Sequence, residues 1–391
     1  MATAIEAVTT LLTVGGLVYM LLALWGTREF ALKDSRAAGA RATPGGFAPG
    51  VSILKPVKGV DPRMYAGLAS HCRQRYPGEF EIVFGVSDLA DTAVAEIERL
   101  RAEFPEVRIR VIHCTERLGA SGKVSNLVQM LRHAVYPYIL INDSDIRVSK
   151  DYLGRVMGCF GDAGARVGMV TAPYIGRTGE RSTVWARLEA LGISTDFLPG
   201  VLAARKLEGG IRFGLGSTLA VSREALGAAG GLEPLVDSLA DDYELGARIA
   251  AAGYRVELAH EVVETSIPAY GFRGFWEHQL RWARSTRDSR QWGYLGLGVT
   301  YCVPWAVLNC VATGFELWSF SLLSLVLLAR VAVALAAGVG VLGDGQVLRD
   351  LWLLPLRDGF GLLVWAWSFA SDEVVWRGER FRLSRGRLSR V

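Results

Sequence analysis

Cysteine and histidine are both scarce in this 391-residue sequence, five of each. Cys72, Cys114, Cys159, Cys302 and Cys310 are scattered with no C-x-x-C pair, which excludes a zinc ribbon and argues for reduced thiols in a cytosolic setting. Charge is thin as well: 21% of residues are charged against 51% hydrophobic, below the usual soluble share. The net charge of +4 is too small to argue for nucleic acid as a partner. No internal repeat or low-complexity stretch is present. A dinucleotide fingerprint is also missing. FGLGST (213–218) contains G-x-G, but Leu219 stands at the third glycine position and no ribose-binding acid follows at the expected distance. That excludes a nicotinamide-dependent oxidoreductase.

Long uncharged runs take the place of what is missing. Residues 7–25 carry no charge and are followed by Arg28 and Lys33, and about 20 apolar residues suffice to cross a bilayer, so an N-terminal transmembrane helix is expected. A cleaved signal peptide fits less well, because only Glu6 precedes the run and no A-x-A-like site ends it. Near the other end, 292–315 is uncharged and 317–342 is apolar apart from Arg330, so both read as spans. Residues 351–370 are interrupted by Arg357 and Asp358 and either span or lie in the interface with those charges turned inward or toward water. The last fifteen residues form a basic tail, with Arg377, Arg380, Arg382, Arg385, Arg387 and Arg390 against Glu379 alone.

Between the apolar ends, after a Gly/Ala/Pro-rich linker at 34–50, the pattern changes. Short β-branched runs at 51–55, 80–86, 107–113, 137–142, 167–172, 217–222 and 254–259 read as strands. Amphipathic stretches near 62–75, 91–103, 123–134 and 241–252 lie between several of them. Such alternation predicts an α/β domain with a mainly parallel sheet covered on both faces, whose ligands sit beyond the carboxyl ends of the strands.

Three clusters carry chemistry. In ILINDSDIRV (139–148) an apolar strand ends in Asp143-Ser144-Asp145, placing two carboxylates where such a sheet binds its ligand. Mg²⁺ or Mn²⁺ commonly bridges one or two carboxylates to substrate phosphates, whereas the same D-x-D in a solvated turn means nothing. Asp241 and Asp242 open a helical stretch, where carboxylates are favoured by the helix dipole and ordinary capping would also account for them. HQLRWARSTR (278–287) is basic and aromatic and lies just before a membrane run. It reads as a membrane-docked amphipathic helix or as a cationic wall over a diphosphate, with Trp282 closing an acceptor pocket.

In order, VSILKPVKGVDP (51–62), YPGEFEIVFGVSDLAD (76–91), GKVSNL (122–127), NDSDIRV (142–148), ADDYELGARIAAAGYRV (240–256), HQLRW (278–282) and VVWRGERFRL (374–383) resemble the ceramide glucosyltransferases, a family 2/21-type group of glycosyltransferases with bacterial members. Hopanoid-type lipid N-acetylglucosaminyltransferases are similar as well. The resemblance implies a GT-A, Rossmann-like catalytic domain at 51–290, an N-terminal anchor at 1–33 and a C-terminal membrane region with basic tail at 291–391. It implies a D, DxD, D, (Q/R)xxRW arrangement. By it, Asp91 is near the uracil-ribose end of a UDP-sugar donor, with Asp88 sharing that role, and Lys123 is near the donor. Asp143 and Asp145 are the metal-linked D-x-D, Asp242 is the catalytic base, and Arg281 and Trp282 are the RW pair. The first position of (Q/R)xxRW is His278 here, with Gln279 adjacent but out of register, and Thr92 stands where many relatives have proline.

The activity implied is an inverting, Mg²⁺- or Mn²⁺-dependent transfer of glucose from UDP-glucose to a ceramide-type lipid hydroxyl at the bilayer. A transfer of N-acetylglucosamine to a hopanoid lipid is the alternative. A processive polysaccharide synthase shares the D-x-D and RW elements but usually needs more spans, and a non-enzymatic scaffold has no use for the four charged motif residues. An integral, multi-pass membrane protein with its catalytic domain in the cytoplasm is expected, since Arg28, Lys33, Arg36 and Arg41 flank the first span.

Overall fold

The computed structural model describes residues 2–41, 46–61, 63–161, 164–376, 379–384 and 386–390. All seven expected strands form, and two more appear beside them: β1 (Val51–Pro56), β2 (Phe80–Val86), β3 (Arg108–His113), β4 (Tyr138–Ile141), β5 (Val167–Thr171), β6 (Tyr174–Thr178), β7 (Leu219–Ser222), β8 (Arg255–Leu258) and β9 (Val263–Ile267). The main sheet runs β3-β2-β1-β4-β7-β5-β8. Its pairings are parallel except those of β7, which is antiparallel to both β4 and β5. Side chains alternate across a strand, so Ile53 and Leu54 belong to different buried clusters, one on each face of the sheet. A sheet covered on both faces needs near-continuous apolar strands, which is why the first five positions of β1 are all buried.

β6 and β9 pair in parallel as a separate two-stranded ribbon. Their sequences, YIGRT and VETSI, mix polar and apolar residues without a clean alternation, so no strand was expected there. The ribbon lies near the D-x-D: Arg147 and Glu264 form an antiparallel bridge.

The structure departs from the linker reading at the chain's start and adds detail to the segments near its other end. The first helix, Ala2–Arg41, continues well into the stretch read as a linker, while residues 42–45 lie outside the described residues. Its apolar window, 4–32, is long enough to cross a membrane. The run 292–315 is not one straight helix: Gln291–Thr300 and Cys302–Ala312 meet at a 54° bend, so together they form a broken span or a re-entrant loop. The 25-residue stretch Leu317–Val341 is the second helix of spanning length and apolarity. Residues 351–370 are no span by that measure. They hold the helix Leu354–Ser368, whose Arg357 and Asp358 both turn inward. The basic tail follows. It folds as an antiparallel sheet of β10 (Glu373–Trp376), β11 (Glu379–Ser384) and β12 (Arg387–Arg390), although Arg377 and Gly378 of the tail motif lie outside the described residues.

Charges hold the membrane helices to the catalytic domain. Arg330 is buried, and its Nε donates to both oxygens of Asp358 at 3.0 and 2.9 Å while Nη1 donates to the Thr195 carbonyl at 2.9 Å. It also pairs with Asp196, which Arg357 reaches at 2.8 Å. Near the start of the first helix, Thr9 and Thr10 donate to Asn309 Oδ1 at 3.0 and 2.9 Å, and near its other end Glu29 pairs with Lys206 at 2.6 Å. The lipid-side faces carry exposed Leu11, Val18, Leu21, Leu317 and Leu328. Exposed Trp25, Trp292, Trp352 and Trp367 match the aromatic residues that settle at membrane interfaces.

Candidate active site

β4 delivers the D-x-D. Where its pairing stops, Asn142 is buried and donates to Tyr152 Oη at 2.9 Å and to the Ser217 carbonyl at 2.7 Å, while its Oδ1 lies 3.3 Å from His71 Nε2. Lys55, wholly buried at the end of β1, donates from Nζ to the Asp143 carbonyl at 3.1 Å. Burial pushes its ammonium down to about 7, against the pull of Asp145 and Asp143. These buried groups fix the backbone from which the two carboxylates project.

The carboxylates then take different partners. Asp143 Oδ1 receives Lys123 Nζ at 2.9 Å, and the same ammonium lies 3.3 Å from Asp241 Oδ2. Lys123 sits in the first turn of the helix Gly122–Leu131, capped by Ser121, whose Oγ accepts from Val124 N at 3.3 Å. Burial opposes the Lys123 charge, but Asp143 and Asp241 outweigh it and hold the ammonium above its ordinary range. Asp145 Oδ2 accepts from Thr265 Oγ1 and, at 3.1 Å, from Ser266 N, both on β9. Burial, then the neighbouring Asp143, raise the Asp145 carboxyl above its usual value. Among the described residues no three histidine, cysteine or acidic side chains gather around one point. The donor set, two carboxylates two residues apart, fits an octahedral cation that fills its remaining positions with water and phosphate oxygens.

Asp242 belongs to the first turn of Asp241–Ala251, and its Oδ1 accepts from Tyr243 N at 2.8 Å. Its carbonyl accepts from Gly214 N at 3.2 Å. A Cβ on Gly216 would come within 3.0 Å of Asp242 Oδ2, and one on Gly214 within 2.9 Å of its carbonyl. The G-x-G of FGLGST therefore serves close approach to this helix start. Burial, then Asp241, push the Asp242 carboxyl up to about 6, against the pull of Lys123.

Asp88 and Asp91 lie after β2. Asp91 caps the helix Thr92–Glu103, accepting from Ala93 N at 2.9 Å, and also accepts from Gly59 N at 2.9 and 3.0 Å. Its carboxylate thus shapes the loop after β1, where Gly59 has a φ of 69°. Asp88 is exposed and accepts from Ala90 N at 2.8 Å.

The (Q/R)xxRW segment lies on the helix Phe272–Ser289, where Arg281 and Trp282 are half-buried. Trp282 packs with Ala186, Ala190, Ile193 and Ile267, beside Tyr174 and Tyr270. His278 stands over Trp282 with ring centroids 4.7 Å apart, and its Nδ1 lies 3.0 and 2.9 Å from the two oxygens of Glu189. Gln279, out of motif register, is buried, donating to Glu189 at 3.2 Å and accepting from Arg357 at 3.0 Å.

Several residues of this region were not legible in the sequence. Glu189 is a lone acid in an apolar helix, Val184–Gly192, and no spacing marks it. Tyr174, the first residue of β6, packs against Phe197 with ring centroids 5.3 Å apart and planes tilted by 48°, and burial, then the charges of Asp242 and Glu189, raise its hydroxyl above the ordinary range. Lys55 and the Thr265-Ser266 pair were equally silent. Only a run such as SILKP, a lysine inside an apolar strand, offered a hint. The C-terminal sheet is also part of the surroundings. Arg387 bridges to Ser238, and Leu388 N donates to the Asp237 carbonyl at 2.7 Å, a few residues before Asp241.

Known proteins resemble this chain in sequence and in fold. Ceramide glucosyltransferase 3 of Caenorhabditis elegans is 26% identical over 279 residues, 71% of this chain and 59% of that protein. Ceramide glucosyltransferase of Gibberella zeae is 30% identical over 181 residues, 44% of this chain and 34% of the relative. The chain thus spans about a third to three fifths of these curated relatives. In structure it is similar to the mannosyltransferase PcManGT from Pyrobaculum calidifontis, solved with GDP-Man and Mn²⁺. That likeness has a TM-score of 0.51 and 22% identity, over 94% of this chain and 97% of the other, and shows a shared GT-A-like fold. The glycosyl transferase family 21 model matches residues 8–389, and the chain belongs to that family of glycosyltransferases.

Proposed function

We propose that the chain transfers glucose from UDP-glucose to the hydroxyl of a ceramide-type lipid, with inversion at the anomeric carbon. The observation that carries this reading is the meeting of two groups of side chains. Asp143, Lys123 and Asp241 are joined within 3.3 Å at the carboxyl end of β4, and Asp242, with its carboxyl near 6, stands next to them. The names of the relatives support the sugar and the lipid class.

In this reading the diphosphate lies over the D-x-D. Lys123 and Arg281 offset the charge that grows on the leaving group, where preorganised cations do most in a site shielded from water. Asp143 and Asp145 would hold a Mg²⁺ or Mn²⁺ ion, which would offset charge on the diphosphate. Asp88 and Asp91 shape the loops at the uridine end. The acceptor O–H gives its proton to Asp242, and its oxygen bonds the anomeric carbon from the face opposite UDP. The old C–O bond breaks with its electron pair leaving on the diphosphate. A general base of this kind contributes about 10²–10⁴-fold. Trp282 and His278 form the acceptor side.

We also assign the boundaries given above to an anchor, a catalytic domain and a membrane region, and place the catalytic domain in the cytoplasm. The contact of β12 with Ser238 supports a tail on the same side as the catalytic domain, hence an even number of crossings after residue 290.

The test is incubation of detergent-purified protein with a panel of UDP-sugars and lipid extracts, read by mass spectrometry. Hexosylceramide from UDP-glucose is expected. An N-acetylhexosamine on a hopanoid would replace donor and acceptor, and free oligosaccharide extended as efficiently as any lipid would sink the lipid-acceptor reading.

A further inference from the structure

A cleft of about 260 Å³ opens where three helices end, on a different face of Asp241–Ala251 from the one buried through Leu245 and Ile249. Its walls include Glu208, the last residue of Leu198–Glu208, then Arg212 and Phe213, Tyr243, and Arg290. Phe213 and Tyr243 stack with ring centroids 5.9 Å apart and planes 13° from parallel, which gives the cleft a flat aromatic wall. Ala247, one turn on from Tyr243, leaves the space in front of it open. Arg290 joins Phe272–Ser289 to Gln291–Thr300, stands 5.9 Å from the Phe213 ring centroid and pairs with Glu208.

The neighbours of this cleft are those of a bilayer edge. Trp292, two residues after Arg290, is 87% exposed, and Leu207, one before Glu208, is 72% exposed. The helix Leu198–Glu208 crosses the N-terminal apolar helix closely, since a Cβ on Gly26 would come within 2.7 Å of the Leu202 carbonyl. Lys206 sits 4.1 Å from the Trp25 ring centroid, near the end of the apolar window 4–32, where a spanning helix leaves the hydrocarbon. Cations gather at the same level. Arg28, Arg205, Lys206, Arg212 and Arg290 stand there against Glu29 and Glu208, while Glu244 is taken up by Arg248 at 2.9 Å. Arg212 is exposed, and among the described residues no acid pairs with it. The cleft is smaller than the roughly 300–1,000 Å³ that encloses a whole small ligand, so it suits a compact anionic head whose remainder lies outside.

We propose that this cleft binds the head of an anionic phospholipid from the leaflet facing the catalytic domain, with Arg212 and Arg290 on its phosphate and its chains running outward past Trp292 and Leu207. Guanidinium groups match phosphate oxygens in pairs, and each cation near an anionic surface adds to the attraction. Glu208 competes with the phosphate for Arg290 and so limits the affinity. The phospholipid is a bound ligand and not the sugar acceptor, and the inference is independent of which sugar or acceptor the catalytic centre takes.

The experiment titrates the full-length protein in a neutral detergent with phosphatidylglycerol and reads the Kd of the first bound lipid by native mass spectrometry. Phosphatidylcholine and inorganic phosphate are the comparison ligands. Phosphatidylglycerol should bind at least about tenfold more tightly than phosphatidylcholine, whose ammonium group meets the arginines, and equimolar inorganic phosphate should not displace it. Arg212→Gln and Arg290→Gln should each weaken binding by about fivefold or more. Arg28→Gln removes an exposed cation outside the cleft and should change the Kd by less than about twofold. Glu208→Gln removes the competitor and should tighten binding by about threefold, a gain that a damaged fold cannot produce. An unchanged Kd in Arg212→Gln overturns the proposal, as does a looser Kd in Glu208→Gln. A loss in Arg28→Gln equal to that in Arg212→Gln would replace the site with diffuse attraction to the membrane, and displacement by inorganic phosphate would replace the lipid with a free anion.

Discussion

Replacing Asp241 by Asn tests the proposed base, Asp242, and how it is tuned. Asp242 is pushed up to about 6 by burial first and by the Asp241 charge second, with Lys123 pulling the other way. A carboxylate serves as base only when ionised. The wild-type rate should therefore fall as pH drops through about 6 instead of through the ordinary carboxyl range near 4. With a single titration at that value, about nine in ten molecules are competent at pH 7 and about one in ten at pH 5, a tenfold fall in kcat. Asp241→Asn removes the like charge, and it also releases Lys123 from its 3.3 Å contact with Asp241. Both changes favour ionised Asp242. Burial remains, so the acid limb should move down by on the order of one unit. The assay is kcat at saturating donor and lipid between pH 4.5 and 8, pH values set at about half-unit steps, with thermal shift at each pH to exclude unfolding. A limb that stays in place, or moves up, would refute the assignment of that ionisation to Asp242.

Asp143→Asn and Asp145→Asn should each abolish metal-dependent donor binding, and EDTA should silence wild-type protein until Mg²⁺ or Mn²⁺ is restored. Full activity in chelator would remove the metal from the reading. Arg281→Lys should be severely impaired in kcat/KM because an ammonium cannot reproduce a bidentate hold on phosphate oxygens. Arg330→Leu strands Asp358 without its cation and should cost about 3–5 kcal/mol, seen as a lower melting temperature in detergent. Arg330→Leu combined with Asp358→Leu should recover most of that loss, and a double variant as unstable as the single would contradict the ion-pair account. Cysteine placed at Ser389 should resist impermeant maleimide added outside intact cells, and labelling there would move the tail to the far side.

The sheet could be read from the sequence because its central strands bury near-continuous apolar runs, as β1, β2 and β5 do, which leaves a local signature. Asp143, Asp145 and Asp242 were readable for a related reason: they sit where an apolar strand ends and where a helix starts. Glu189 was not, since what gives it a role is a helix that lies about ninety positions later in the chain. The bend at Tyr301 was equally hidden, because hydropathy records an apolar run and not its direction. Likewise the tail's arginines obscured Phe381, Leu383 and Leu388, which pack with Leu239 and Val374. Arginines interleaved with a few apolar residues look like a solvated extension until the partner surface is known.

The bridge between Ser238 and Arg387 makes the segment before Asp241 a shared edge between two stretches far apart in the chain. That segment lies more than a hundred residues before its β12 partner, and the Asp237 carbonyl accepts from Leu388 N at 2.7 Å. Loosening the small C-terminal sheet would therefore be felt a few residues before Asp241 and Asp242, carried by the backbone and not by a shared side chain.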